Sequence, residues 1–122
     1  MSTFAARIGP HVQAELDFSA AAEREGACDQ AFRHLERAHV LAQAATLQHV
    51  RVHWRMYRFA LRQRFCGEAF GQLLRLLLAA PLTILGALPT GNTGGSAVSG
   101  FKPMPVPADL QRLIDAARTG ST

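Results

Sequence analysis

A short internal repeat does most to limit the folds open to this chain. Cys28, Ala31, Phe32, Leu35 and Arg37 recur thirty-eight residues later as Cys66, Ala69, Phe70, Leu73 and Arg75. Five identities in ten positions, in the same order, predict two copies of one helical hairpin spanning 28–37 and 66–75. Stacked hairpins leave an apolar end uncovered, so a capping segment or a second subunit is expected to close it.

The helical periodicity agrees with this division. Pro10 suits a first helical turn, and HVQAELDFSAAAEREG then places Val12, Leu16, Ser19 and Ala20, and Glu23 at helical spacing before Gly26. A second helix follows Asp29, with Ala31, Leu35, Ala38 and Ala42 on one face and Phe32 beside it. A soft break falls at Ala44 to Thr46, with Thr46 as the expected N-cap. The third helix is predicted to run to Arg64 and the fourth from Gly67 to Ala80, stopped by Pro81. The stretch PTGNTGGSAVSGFKPMPVP is too rich in glycine and proline for a long helix or a central strand. Phe101, Met104 and Val106 are expected to lie extended across the helices, and ADLQRLIDAAR to form a closing helix with Leu110, Leu113 and Ile114 inward. The expectation is one all-α domain over 1–122: a helical core at 10–88, a Gly/Pro-rich cap at 89–107 and a helix at 108–118.

Composition narrows the function classes. With 13 Lys+Arg against 9 Asp+Glu, the net charge of +4 permits an acidic partner without demanding one. All the basic residues except Lys102 are arginine, which favours bidentate contacts to carboxylate or phosphate. Two cysteines, Cys28 and Cys66, do not make a disulfide framework; their matched places in the repeat suit packing, with a soft-metal or redox pair as the alternative. No apolar run with a cleavage site opens the chain, and the thirteen-residue run Leu76–Leu88 contains Pro81. A spanning helix needs about 20 residues, so a cytoplasmic protein without a signal peptide is expected.

The candidate site is a histidine cluster. His49 and His53 stand four apart, so their rings share one helical face. If the chain reverses near Ala45, His39 lies about as far before the turn as they lie beyond it, and Glu36 sits one turn earlier on the same face as His39. Helices packed about 8–10 Å apart would then bring three imidazoles and a carboxylate together. That donor set suits zinc, nickel, copper or iron, and imidazole alone does not choose among them. His34 is five residues from His39 and points elsewhere. The residues between His49 and His53 are Val50, Arg51 and Val52, so the general-base glutamate of a zinc-protease helix is absent. The alternative is that these are interfacial histidines bonded to backbone or to Gln43 and Gln48.

Two further features bear on partners. Arg51, Arg55, Arg58 and Arg62 make a basic edge on the third helix, beside a stripe of Val50, Trp54, Tyr57 and Leu61. Phosphate of nucleic acid or anionic lipid could use such an edge, but a solvated face with arginine stems over apolar neighbours is the commoner arrangement. GNTGG at 91–95 offers backbone N–H groups to an anion, with Asn92 and Thr93 as the side chains to test. It lacks the Lys-Ser/Thr ending of a phosphate-binding loop and no strand precedes it.

Two resemblances add to this. Gly26, Ala31, Leu35 and Ala38 match the small turn residue and the helix pattern of a tetratricopeptide repeat over Val12 to Ala45. The usual Trp, Leu and Gly of that repeat's first helix are missing, and Leu76 stands where Ala is expected. At HLERAHVLAQ, HVRVHWRM, PTGNTGG and FKPMPVP the chain resembles a small bacterial family, domain of unknown function 3703, over nearly its whole length. That resemblance implies no activity, substrate or catalytic residue. Three functions are therefore expected in descending order: a non-enzymatic helical scaffold, binding a protein partner or a second copy of itself as a homodimer; a metal- or small-ligand-binding protein using His39, His49, His53 and Glu36; and a metal-dependent enzyme at that site with Glu36 as base.

Overall fold

The computed structural model describes residues 2–63, 71–72, 75 and 105–120. Among these residues the chain forms four helices and no strand: α1 (Phe4–Arg24), α2 (Cys28–Ala42), α3 (Thr46–Arg62) and α4 (Ala108–Thr119). The all-α expectation holds. Of the predicted helix at 67–80 the described residues are Gly71, Gln72 and Arg75, all three helical; its other residues, the Gly/Pro-rich segment through Met104 with Asn92 and Thr93, and Cys66 lie outside the described residues.

The first helix starts six residues before the expected Pro10. Thr3 caps it, its hydroxyl accepting from the Ala6 N–H at 3.2 Å. Pro10 removes one helical donor, but both it and Ala6 are exposed, so water can take the freed carbonyl. The buried face runs Ile8, Val12, Glu15, Leu16, Ser19 and Ala22, steps of three and four that keep one side of the helix toward the core. The helix ends where expected. Gly26 has φ +77°, while Gly26 N–H donates to Glu23 O at 3.0 Å and Ala27 N–H to Ala22 O at 2.9 Å, the paired bonds of a Schellman turn.

Among the described helices the pairing of α1 with α2 is the most extensive. Small residues make it close: Ser19 Oγ donates to the Ala31 carbonyl at 2.8 Å within the core, and Ala31 and Ala38 are fully buried. The turn to α3 is tight, closed by Ala45 N–H donating to Ala42 O at 2.8 Å. Ala45, not Thr46, is the N-cap, and it makes no side-chain cap bond; Thr46 is already the first helical residue. The third helix contributes Val52, Met56, Phe59 and Ala60 to the core, with the Phe59 ring stacked on Phe32 at 5.8 Å between centroids.

From the far end of the chain, α4 returns against α1 and α2. Leu110, Ile114 and Ala117 face inward, Val106 and Leu113 pack on the core from the side, and Gly120 at φ +74° ends the helix. Two ties hold it. Arg7 Nε donates to Ala117 O at 2.5 Å. Arg37 bridges Asp109 on α4 and Glu15 on α1, the latter at 3.0 Å.

Glu15 is the hinge of this network. Only 10% of its side chain is exposed, and it accepts from both Arg37 Nε and His34 Nδ1, the latter at 2.6 Å. Glu15→Ala would leave two buried-side donors without their acceptor. We expect a loss of about 1–2 kcal/mol, discounted because both partners keep some contact with water. Urea unfolding midpoints measure it; a change below about 0.5 kcal/mol would mean that water replaces the carboxylate without cost.

Candidate metal centre

The turn at 43–45 places the end of α2 antiparallel to the start of α3, and His39, His49 and His53 meet across it. All three are buried, at 1–2% exposure. They converge through their Nε2 atoms: 2.8 Å between His39 and His49, 3.0 Å between His49 and His53, and 3.1 Å between His39 and His53. The rings meet edge-on or tilted, each pair 4.7 Å apart between centroids. Among the described residues these three side chains are the one set of histidine, cysteine and carboxylate groups whose donor atoms gather closely enough to hold a metal ion.

A fourth residue orients the cluster. Gln72 is fully buried, and its Oε1 lies 2.8 Å from His53 Nδ1. A carbonyl oxygen only accepts, so His53 Nδ1–H is the donor, and a neutral ring then has its lone pair on Nε2, facing the other two. At most two protons, on His39 and His49, remain for three Nε2–Nε2 edges. One edge therefore has none, and a cation at the centre would remove that mismatch.

The electrostatics keep His49 and His53 neutral. Burial pushes His49 down to about 3, helped by its neighbours His53 and Arg75. Burial also lowers His53 to about 4; the bond to Gln72 opposes the shift and Arg75 adds to it. Neutral imidazole is the form that ligates metal.

The same shifts predict the acid sensitivity of metal-free protein. Above pH 6.5 both histidines are neutral whether the chain is folded or not. Below it the unfolded chain takes up protons that the folded state refuses until about pH 4 and 3. Stability is thus full above 6.5 and falls progressively toward pH 4, by about 1 kcal/mol per pH unit for each histidine. Urea unfolding of chelator-treated protein across this range should show the slope, and His49→Gln/His53→Gln should flatten it. A level profile from 6.5 to 4.5 in the unsubstituted protein would contradict the burial of these rings.

The other expected residues sort differently. Glu36 is half-buried and is not one of the groups that gather at the centre. His34 turns to Glu15, and Phe18 lies over it at 5.4 Å. Cys28 Sγ donates to Gln63 Oε1 at 3.2 Å. The arginine edge divides: Arg62 forms a bidentate pair with Glu23, both contacts 2.9 Å, while no carboxylate among the described residues pairs with Arg51, Arg55 or Arg58. Gln72 was not foreseen. The thirty-eight-residue repeat gives it the place of His34 in the first copy, a signal that two polar residues occupy equivalent helical positions.

A small all-α protein with three histidines gathered in its core is thus the class that fold and site define. The family model for proteins of unknown function, DUF3703, matches residues 6–114, and the chain belongs to that family. No curated protein and no solved structure matches it.

Proposed function

We propose that this protein binds a transition-metal ion, with zinc, nickel and copper as the candidates, through Nε2 of His39, His49 and His53. The Nε2 triangle carries the reading. Tetrahedral zinc with Zn–N bonds of about 2.0–2.1 Å holds its nitrogens about 3.3–3.4 Å apart. The edges here are 2.8–3.1 Å, so each ring need withdraw only a few tenths of an ångström. Edges of this length also suit three ligands at roughly right angles on one face of an octahedral ion. The ligands come from two helices and are held by a packed core, which favours a pre-formed site. Metal content of untagged protein, followed by zinc, nickel and copper titration, tests the proposal; no stoichiometric uptake at micromolar metal would sink it.

Gln72 provides a finer test. Hydrogen bonds to the non-ligating nitrogen fix the tautomer of a metal-bound histidine, and their loss weakens metal binding by about 10–100-fold. Gln72→Leu should weaken the metal within that range while the fold persists by circular dichroism. Unchanged affinity would assign Gln72 a packing role only.

Among the described residues the groups that gather are three imidazoles, and it is this set that supports the binding reading. A scaffold role is a second, compatible reading, favoured by the large apolar side chains exposed along α3.

A further inference from the structure

The side of α3 away from the histidines has an order of its own. Leu47, Val50, Trp54, Tyr57 and Leu61 follow steps of three and four, the a/d spacing of a coiled-coil seam. Leu47 is 85% exposed, Trp54 46% and Leu61 54%, while Val50 and Tyr57 are half-buried. Single apolar residues on a surface need no explanation. Five in heptad register on one helix do.

Around the helix axis the residues fall into three sectors. Val52, Met56 and Phe59, with His49 and His53, face the core. The seam occupies roughly 80° of the exposed circumference, and Arg58, Arg51, Arg62 and Arg55 fill an adjoining band of roughly 60°, at 3.6 residues per turn. No acidic residue occurs on α3. Arg62 is taken by Glu23, whereas Arg51, Arg55 and Arg58 meet no carboxylate among the described residues. Arg51 Nε is buried with no hydrogen-bond partner there.

We propose that this face of α3 docks an amphipathic helix of a partner protein, one whose apolar a/d stripe is flanked by Asp or Glu. The seam gives such a helix two heptads, about 21 Å, to lie along. Arg51 and Arg58 hold the e positions, from which charge selects partner and register in helix pairing. The apolar band supplies contact area, and the arginine band supplies the preference for an acidic partner. Two copies pairing α3 on α3 would set arginine against arginine, which disfavours the second copy as occupant. Nucleic acid would use the arginines through its phosphates and leave the seam uncovered.

Trp54 is the one tryptophan of the chain and lies in the seam, so its emission reports docking directly. The intact protein is titrated with a peptide of about 18 residues carrying Leu at a/d and Glu at e/g, and with its Lys counterpart. Expected is a saturable blue shift with the acidic peptide, weakened by salt and at least about tenfold weaker with the Lys peptide. Arg55→Glu/Arg58→Glu should weaken the acidic peptide by a similar factor, and Leu47→Ala/Leu61→Ala should abolish its binding, both with unchanged thermal melts. Three results would overturn the proposal: no saturable response, equal binding of the two peptides, or a shift produced by phosphatidylserine vesicles and not by peptide. Sedimentation showing concentration-dependent doubling of mass, with Trp54 already blue-shifted, would reassign the seam to a second copy.

Discussion

His49→Ala/His53→Ala is expected to abolish stoichiometric metal binding and, with it, the rise in melting temperature that metal gives the unsubstituted protein. A ligand that binds only the folded state at a hundredfold above its dissociation constant stabilises by about 2.7 kcal/mol. For a domain of this size that is a rise of about 10 °C. The double substitution removes two of three ligands, and a lone imidazole does not retain a metal at micromolar concentration. It also leaves space in the core, so the metal-free melting temperature will move for reasons of packing. The quantity to compare is therefore the shift on adding metal, with His39→Ala as an independent third point. Both variants should lose the shift. A variant that keeps stoichiometric metal would move the site elsewhere in the chain, and an unsubstituted protein with no shift would remove the metal reading altogether.

The largest loss of stability from a single change is expected at Phe59. Its side chain is 1% exposed and stacks on Phe32, one turn beyond Met56 and within two turns of His53 on the same helix. Truncating a buried phenylalanine costs about 3–5 kcal/mol, part lost transfer energy and part the cavity left behind. That lowers the melting temperature of such a domain by about 10–20 °C. It is a large share of the total stability of about 5–15 kcal/mol typical of native domains. Leu61→Ala, two positions later and more than half exposed, should change stability by no more than about 0.5 kcal/mol. Equal losses at the two positions would contradict the orientation of α3, and with it both the histidine site and the exposed seam on its opposite side.

That orientation is also where sequence reading meets its limit. The helices could be read from periodicity, because the face that enters the core is written in residues three and four apart. Gly26 could be read as an end because only a residue tolerant of positive φ closes a helix that way. The start of α1 could not. Pro10 was the stronger local signal, but the helix begins at Phe4, where the Thr3 cap and the tie from Arg7 to Ala117 favour the extra turns. That tie joins residues more than a hundred positions apart, and no local window contains it.

The site divides in the same way. Sequence alone determined that His49 and His53 share a face, that His39 stands opposite across a turn, and that arginines line one edge of α3, since all three follow from spacing along a helix. Only the tertiary structure decided that three Nε2 atoms meet within 3.1 Å, that Gln72 joins them, that Glu36 stays outside, and that Glu23 claims Arg62 but not its neighbours. Spacing sets which side chains point together along one helix. The rotation and separation of one helix against the next depend on how closely they pack. Between α1 and α2, buried Ala31 and Ala38 and the Ser19 bond to the Ala31 carbonyl set that distance.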